Sequence, residues 1–443
     1  MKARLTAWTG VAFGRGVLLL CLCCGGAAAA RGAEGFFAGA AKLDITPDPK
    51  MTNWVGHKPY EGVLDPLFLR ALALSESTNQ VLLLTYDLTD VRETFVARVR
   101  RAVAQETSVP AANILVHASH THSAPWSPVY DAPLVEHERK TLTPVEQDPT
   151  FQTWGQRLLE LSVQAARQAH TAKRPVTLAI GRASAPEVLF NRRPRRPDGN
   201  VETVYEPADP HVLPNGMRFG PMDPTLTVLA LRDTEQKSVA TLFHLPCHPV
   251  AIYPYHKGFS ADWPGEAARQ IETALGGEAI FLQGCAGDIV PARRGVAARE
   301  QMAKLVAERA LAAVKQSQLL NLGPLRSAHA VMGLPLTEAA RRDTGREFLT
   351  TEVQVISCGL LALVGLPGEP LNDLSVAIQK RSRFPHTLVL GYANGYGVQY
   401  VGLPGEKARG GYEMGAAGVG ADECGGVLVE TAARLLEGQQ GGP

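Results

Sequence analysis

Two histidines one residue apart, His120 and His122, lie in the run Ser119-His120-Thr121-His122-Ser123, which Pro125 closes. In an extended segment residues two apart face the same way, so the pair suits two metal ligands, or one ligand beside a proton donor. The plainer alternative is a pair of loop histidines bonded to backbone. His248 stands between Cys247 and Pro249, and the proline stiffens the chain at a ligand position. By itself it reads as a core histidine. Glu369 follows Pro367-Gly368 at the end of an apolar stretch, where a buried carboxylate requires a compensating charge or a metal. Two or three neutral imidazoles and one carboxylate match the donor set of a catalytic zinc with one position open for water or substrate. Such an ion polarises a carbonyl and lowers the pKa of bound water to roughly 7. A metal hydrolase is the leading reading.

Other residues offer supporting or competing chemistry. Gly284-Cys285-Ala286-Gly287-Asp288 is a small-residue loop whose amides suit an oxyanion, with Asp288 placed to orient a histidine; a tight turn explains it equally well. Asn191-Arg192-Arg193-Pro194-Arg195-Arg196 is a basic run from which one inward guanidinium would clamp a substrate oxygen. Asp87, Asp262 and Asp288 are spare carboxylates for a second metal, which would favour a phosphoesterase; an esterase or deacetylase needs only one. A cysteine hydrolase would need Cys247 or Cys285 as a thiolate, and there is no G-x-S-x-G elbow. A non-catalytic exported binding protein on the same fold is the remaining alternative.

These residues sit where strands end. Val81 to Tyr86 reads as a buried strand, Asp90 with Glu93 as a capping box, and Val91, Phe95, Val96, Val99 and Val103 keep helical spacing. Asn113 to Ala118 is the next strand and runs into His120. Ser238 to Leu245 is a strand ending at His248, Asp262 to Leu275 a helix with Pro264 in its first turn, and Ala279 to Leu282 a strand ending at Gly284. Val353 to Val364 is a strand region ending at Glu369, Leu371 to Arg381 a helix, and Thr387 to Leu390 a strand ending near Asn394. Ligands in α/β sheets bind beyond the carboxyl ends of strands, so the three units converge on one site. The expected fold is α/β, with mixed sheets flanked by helices and a metal site at the trailing ends of strands.

The chain has 443 residues, 44 basic against 43 acidic side chains, and 45% hydrophobic residues. This balance excludes a general nucleic-acid or anionic-membrane binder. Lys2 and Arg4 precede the apolar run Val17 to Cys24 and the small residues Gly25 to Ala30, the pattern of a signal peptide over residues 1–33. The run is too short to span a bilayer, and no transmembrane segment is expected. Removing it takes away Lys2, Arg4, Arg15 and Arg31 and turns the net charge from +1 to −3. The protein is read as exported, periplasmic or extracellular. Cys247, Cys285, Cys358 and Cys424 remain as buried small residues, with room for one disulfide.

In order, HTHSAP, NRRP, CHPV, GCAGDIVP, LPGE and NGYGVQYVG…GGYE resemble the catalytic domain of the neutral/alkaline non-lysosomal ceramidase family, as do the opening AKLDITP and DPLFLRALAL. The resemblance covers nearly all of residues 38 to 425 and implies a single zinc hydrolase domain over 36–440, cleaving the N-acyl bond of a lipid or small molecule. By position it implies zinc on His120, His248, Glu369 and Tyr400, with Tyr396 the competing tyrosine. It makes His122 and Arg192, the latter in an Asn191-Arg192 pair, catalytic helpers; the loop reading adds Asp288 to manage protons and Gly284 and Gly287, with Asn191, around the substrate oxygen. Two departures stand out. Val290 replaces a serine important in ceramidases, and the chain ends without room for the β-sandwich domain that follows in known members. The reaction type therefore carries over more directly than the ceramide substrate.

Overall fold

Apolar runs such as Val81–Tyr86 are buried on both faces because each strand lies between a layer of helices and a second sheet. The computed structural model describes residues 35–128, 143–213 and 216–439; residues 1–33, expected from their sequence to be a signal peptide, lie outside the described residues. The first sheet contains β1 (Phe36–Asp44), β2 (Phe68–Glu76), β3 (Asn79–Tyr86), β4 (Ile114–Ala118), β5 (Arg174–Ser184), β7 (Thr225–Asp233), β8 (Ser238–Leu245) and β9 (Glu278–Gln283). Their order is β4-β3-β2-β1-β5-β7-β8-β9, and the short β11 (Gln318–Leu319) pairs with β5. The second sheet has the order β12 (Leu325–Pro335), β13 (Phe348–Cys358), β14 (Leu361–Gly365), β16 (His386–Leu390). Two small ladders join β6 (Leu189–Asn191) to β10 (Ile289–Pro291) and β15 (Glu369–Pro370) to β17 (Tyr400–Val401).

Period-two alternation separates two cores. In β3, Val81 and Leu83 pack between the sheets with Leu72, Leu229, Leu242 and Leu363. Leu82, Leu84 and Tyr86 face the opposite core, which includes Phe95 and Val99 of α1 (Glu93–Thr107) and Leu158 of α2 (Pro149–Thr171). That core continues through α3 (Asp262–Leu275) and α4 (Val296–Lys315). The outer face of the second sheet packs on α5 (Asn372–Arg381) and α6 (Cys424–Gln439). The layers run helix, sheet, sheet, helix, a mixed α/β fold with helices flanking both sheets.

Two of the expected strand–helix–strand units are parallel crossovers, β3–α1–β4 with Leu82 opposite Ile114, and β8–α3–β9 with Leu242 opposite Ile280. The third differs at its start. Val353–Val364 is a hairpin in which Cys358 pairs with Leu361. Gly359 turns it, at φ 57°, where a side chain would overlap the Asn321 carbonyl. From β14 the chain passes through α5 to the parallel β16. The Asp90–Glu93 capping box does not form: Arg92 is the N-cap of α1 without a side-chain bond, and Asp90 pairs with Arg92 at 3.4 Å. The disulfide does not form either, since Cys247, Cys285, Cys358 and Cys424 are free thiols.

The first sheet curls until its edges meet. β1 and β5 share only two residue pairs, Phe37–Pro175 and Ala38–Arg174, which hinge the sheet. Gln283, ending β9, donates to the Ser119 carbonyl (3.3 Å) just past β4 and to the Cys247 carbonyl (2.8 Å) just past β8. Bridges from the end of β16 tie in both edges, Ala393 to His117 and Leu390 to Gly284. Strands at opposite ends of the order therefore deliver their trailing ends to one place. Among the described residues no helix is long and apolar enough to cross a membrane.

Candidate metal centre and active site

His120, His122 and His248 meet at those strand ends, with a ligand atom of each within 4.8 Å of the others. His120 and His248 are buried and His122 is half-buried. His120 holds a left-handed backbone, φ 70°, an uncommon conformation for a side-chain-bearing residue and one found at functional sites. Its Nδ1 lies 2.5 Å from the Thr89 carbonyl oxygen, and His248 Nδ1 lies 2.5 Å from that of Ala286 and 3.2 Å from that of Ile289. Carbonyl oxygens only accept, so each Nδ1 carries the proton and each Nε2 presents a bare lone pair.

Both lone pairs converge on an acceptor. His120 Nε2 and His248 Nε2 each lie 3.2 Å from Glu369 Oε2, and His122 Nε2 lies 3.1 Å from His120 Nε2. Burial, then the Arg192 charge, pushes the His248 imidazole down to about 3, which keeps it neutral. Two imidazole nitrogens and a carboxylate oxygen this close form a donor set that could hold a metal ion. The donor set fits a divalent metal, and zinc in particular among N/O-ligated ions.

Strand pairing brings Tyr400 to the site. β15 and β17 run parallel with Glu369 opposite Tyr400, which brings the phenol to the carboxylate. Tyr400 Oη accepts from Arg192 Nη2 at 3.1 Å, and the same nitrogen donates to the Gly287 carbonyl at 2.8 Å. Burial, then Glu369, holds the phenol well above its ordinary range. The competing Tyr396 lies under the Arg92 guanidinium, 5.4 Å from its ring centre.

Four expected roles are revised. Asp288 accepts from the Asn372 amide (2.8 Å) and from Asn191 Nδ2 (2.8 Å), so its carboxylate ties loops together and orients no imidazole. Asn191 gives its other amide hydrogen to the Pro221 carbonyl (2.6 Å) and accepts from the Arg193 amide (2.8 Å), which leaves nothing for a substrate oxygen. The Gly287 amide donates to the Pro370 carbonyl (2.9 Å), and Gly284 is bridged to Leu390. Their lack of a side chain serves close packing: a Cβ on Gly287 would lie 2.5 Å from the Glu369 carbonyl. Asp288 still helps indirectly, because its loop supplies the carbonyls that fix His248.

The carboxylates offered for a second metal are engaged elsewhere: one oxygen of Asp87 accepts from Arg70 (2.9 Å) and the Phe68 amide (2.9 Å), Asp262 accepts from the Trp263 and Ile252 amides, and Asp288 is bonded as above. Burial raises the thiols of Cys247 and Cys285 well above their ordinary range, the opposite of an activated nucleophile.

Residue-by-residue reading missed several contributors. Thr89, Ala286 and Ile289 act through backbone carbonyls, which side-chain identity does not reveal. Tyr392 stacks on the His120 ring at 4.1 Å. Trp54 and Tyr253 approach His122 edge-on at 5.6 and 5.1 Å, and a cleft of about 330 Å³ lined by Tyr253, Asn53 and His256 opens on that histidine.

Fold and site together define a mixed α/β protein with a candidate metal centre where its strands end. Residues 36–342 match the family described as neutral/alkaline non-lysosomal ceramidase, N-terminal, and the chain belongs to that family. The fold is similar to that of neutral ceramidase from Pseudomonas aeruginosa, with a TM-score of 0.72 at 19% identity over 91% of this chain and 75% of that one. A structure described as ceramidase complexed with C2 is similar at a TM-score of 0.71 and 18% identity, with the same coverage. No curated protein matches the chain. Family and fold make the protein a ceramidase-like hydrolase.

Proposed function

We propose that the protein is an exported, zinc-dependent hydrolase of an amide (N-acyl) bond in a lipid or small-molecule substrate. The observation that carries this reading is the convergence of His120 Nε2 and His248 Nε2 on Glu369 Oε2, with both tautomers set by backbone carbonyls. Those three residues, with Tyr400, would hold the ion. Bound zinc supplies Lewis acidity for the substrate carbonyl and lowers the pKa of water. The chain's own residues supply the rest. His122 is the proton carrier: its Nε2 faces the cluster, its Nδ1 is buried without a partner among the described residues, and it borders the cleft. Arg192 fixes the Tyr400 hydroxyl, whose proton can then bond an oxygen that gains charge. Buried aromatic rings around His120 and His122 exclude bulk water. Export rests on the residue 1–33 pattern.

The test is metal analysis of the purified protein followed by a chelator-controlled screen of N-acyl lipids, N-acyl amino acids and acetylated sugars. About one zinc per chain is expected, with N-acyl hydrolysis abolished by His248→Ala. Metal-free protein that retains activity, or activity indifferent to His248→Ala, would overturn the proposal.

A further inference from the structure

The sequence motifs NRRP and GGYE interlock in a buried charge network at the site, and the roles assigned so far use only Arg192 of them. Glu413 is fully buried. Its Oε1 accepts from Arg192 Nε at 2.6 Å and its Oε2 from Arg193 Nη1 at 2.9 Å. Arg193 is held in turn by Glu406 (3.1 Å), which also takes Arg195 (3.0 Å). The backbone is shaped for this. Glu413 opens a π-helical turn, Glu413–Ala417, the wide-turn geometry that often marks functional positions. Gly411, at φ 84°, leaves room for Arg193, since a Cβ there would lie 2.8 Å from its Nη1. The Arg193 Nη1 also donates to the Gly410 carbonyl at 3.0 Å.

We infer that Glu413 is a positioning residue, which fixes the guanidinium of Arg192 so that its Nη2 meets Tyr400. A guanidinium is rigid and planar, so anchoring Nε sets the direction of Nη2. Arg193 supplies a second cation to this carboxylate, which water does not reach. The Glu413 carboxylate bonds Arg192 and Arg193, with the Thr203 hydroxyl at 3.5 Å, and its link to the Tyr400 hydroxyl runs through Arg192. The inference rests on the proposed site for its catalytic consequence, but not for its geometry.

Arg192→Ala opens a guanidinium-sized space beside Glu413, and ethylguanidinium at millimolar concentration is the probe. In Arg192→Ala it should raise the melting temperature relative to ethylammonium at equal concentration, and in Arg192→Ala/Glu413→Gln that difference should vanish. Turnover should follow the same pattern, with ethylguanidinium restoring at least about 10-fold in kcat/KM only where Glu413 is present. Glu413→Gln alone should lose about 10- to 100-fold with Arg192 intact, mostly in kcat, and less than about 2-fold further in Arg192→Ala. An equal guanidinium response with and without Glu413, or equal losses in both backgrounds, would overturn the inference. If Glu413→Gln does not fold, Glu413→Asp, which keeps the charge and shortens its reach, carries the same comparison. A protein inert towards every N-acyl substrate would sink the proposed function, whereas the substrate-free melting shift decides the role of Glu413 either way.

Discussion

Glu369→Gln separates the charge of the centre from its shape. The amide oxygen can take the place of Oε2, 3.2 Å from both imidazole nitrogens, so the donor geometry survives while the negative charge is lost. Two unit charges at about 4 Å attract by about 4 kcal/mol at an effective dielectric of about 20, the smallest loss expected for a divalent ion. That corresponds to about 10³-fold in metal affinity. The Tyr400 phenol does not compensate, because burial, the first cause that holds it above its ordinary range, remains when the Glu369 charge is gone. Metal at about 1,000 times its Kd stabilises a protein by about 4 kcal/mol. With an unfolding entropy of about 2.1 cal/mol/K per residue, a domain of about 400 residues has about 0.85 kcal/mol/K in total, so saturating zinc should raise Tm by about 5 °C. In Glu369→Gln the same free zinc at most half-fills the site, and the rise should be no more than about 0.5 °C. Differential scanning calorimetry in chelator and then in buffered zinc reads both values. Equal shifts in the two proteins, or no shift in the wild type, would refute the argument that these three converging acceptors hold a cation.

Burial, with Glu406 next, pushes Asp373 up to about 6, and its Oδ1 has no partner among the described residues. Between about pH 4 and pH 6 the folded chain then binds more protons than the unfolded one, so this group's contribution to stability falls as pH rises. Asp373→Asn should therefore gain about 1–3 kcal/mol over wild type at pH 8 and little at pH 4, read from urea midpoints; a pH-independent difference would contradict the sign. Gly359→Ala should cost about 2–4 kcal/mol, because the turn needs φ 57° and a side chain meets the Asn321 carbonyl; a loss under about 0.5 kcal/mol would show that the hairpin can relax. All four described thiols are buried with raised pKa, so iodoacetamide should label none in the native protein and leave activity intact. Inactivation by alkylation of Cys247 or Cys285 would return the cysteine-hydrolase reading.

The parallel crossovers were legible because their signals are local: apolar runs for β3 and β8, and Pro264 in the first turn of α3. The convergence of His120, His248 and Glu369 was legible for a topological reason, since each follows a strand in the same sense. The hairpin inside Val353–Val364 was not, because its second strand is as apolar as its first and a lone glycine marks the turn weakly. The curl of the first sheet depends on a two-pair hinge between β1 and β5, which no periodicity encodes. Asp288, Asn191 and the loop glycines were misjudged for one shared reason. Polar residues beside a site hold its walls as often as they touch substrate, and only hydrogen-bond partners distinguish the two.

Val290 shows where reaction and substrate part company. It lies opposite Phe190 in the β6–β10 ladder and is buried in a small apolar cluster with Val250 and Ala292, against which Tyr253 packs. Its neighbour Ile289 offers a carbonyl to His248, and the Asp288 carbonyl takes the Arg192 amide at 2.8 Å. The backbone here thus serves the centre while the side chain serves packing. A hydroxyl in place of the valine would be buried among apolar groups and need a partner of its own. None of the contacts that hold His120, His248, Glu369, Tyr400 or Arg192 runs through that side chain. A valine at this position therefore leaves the contacts of the candidate metal centre untouched, and its side chain packs on the Tyr253 side of the site, where the cleft meets His122.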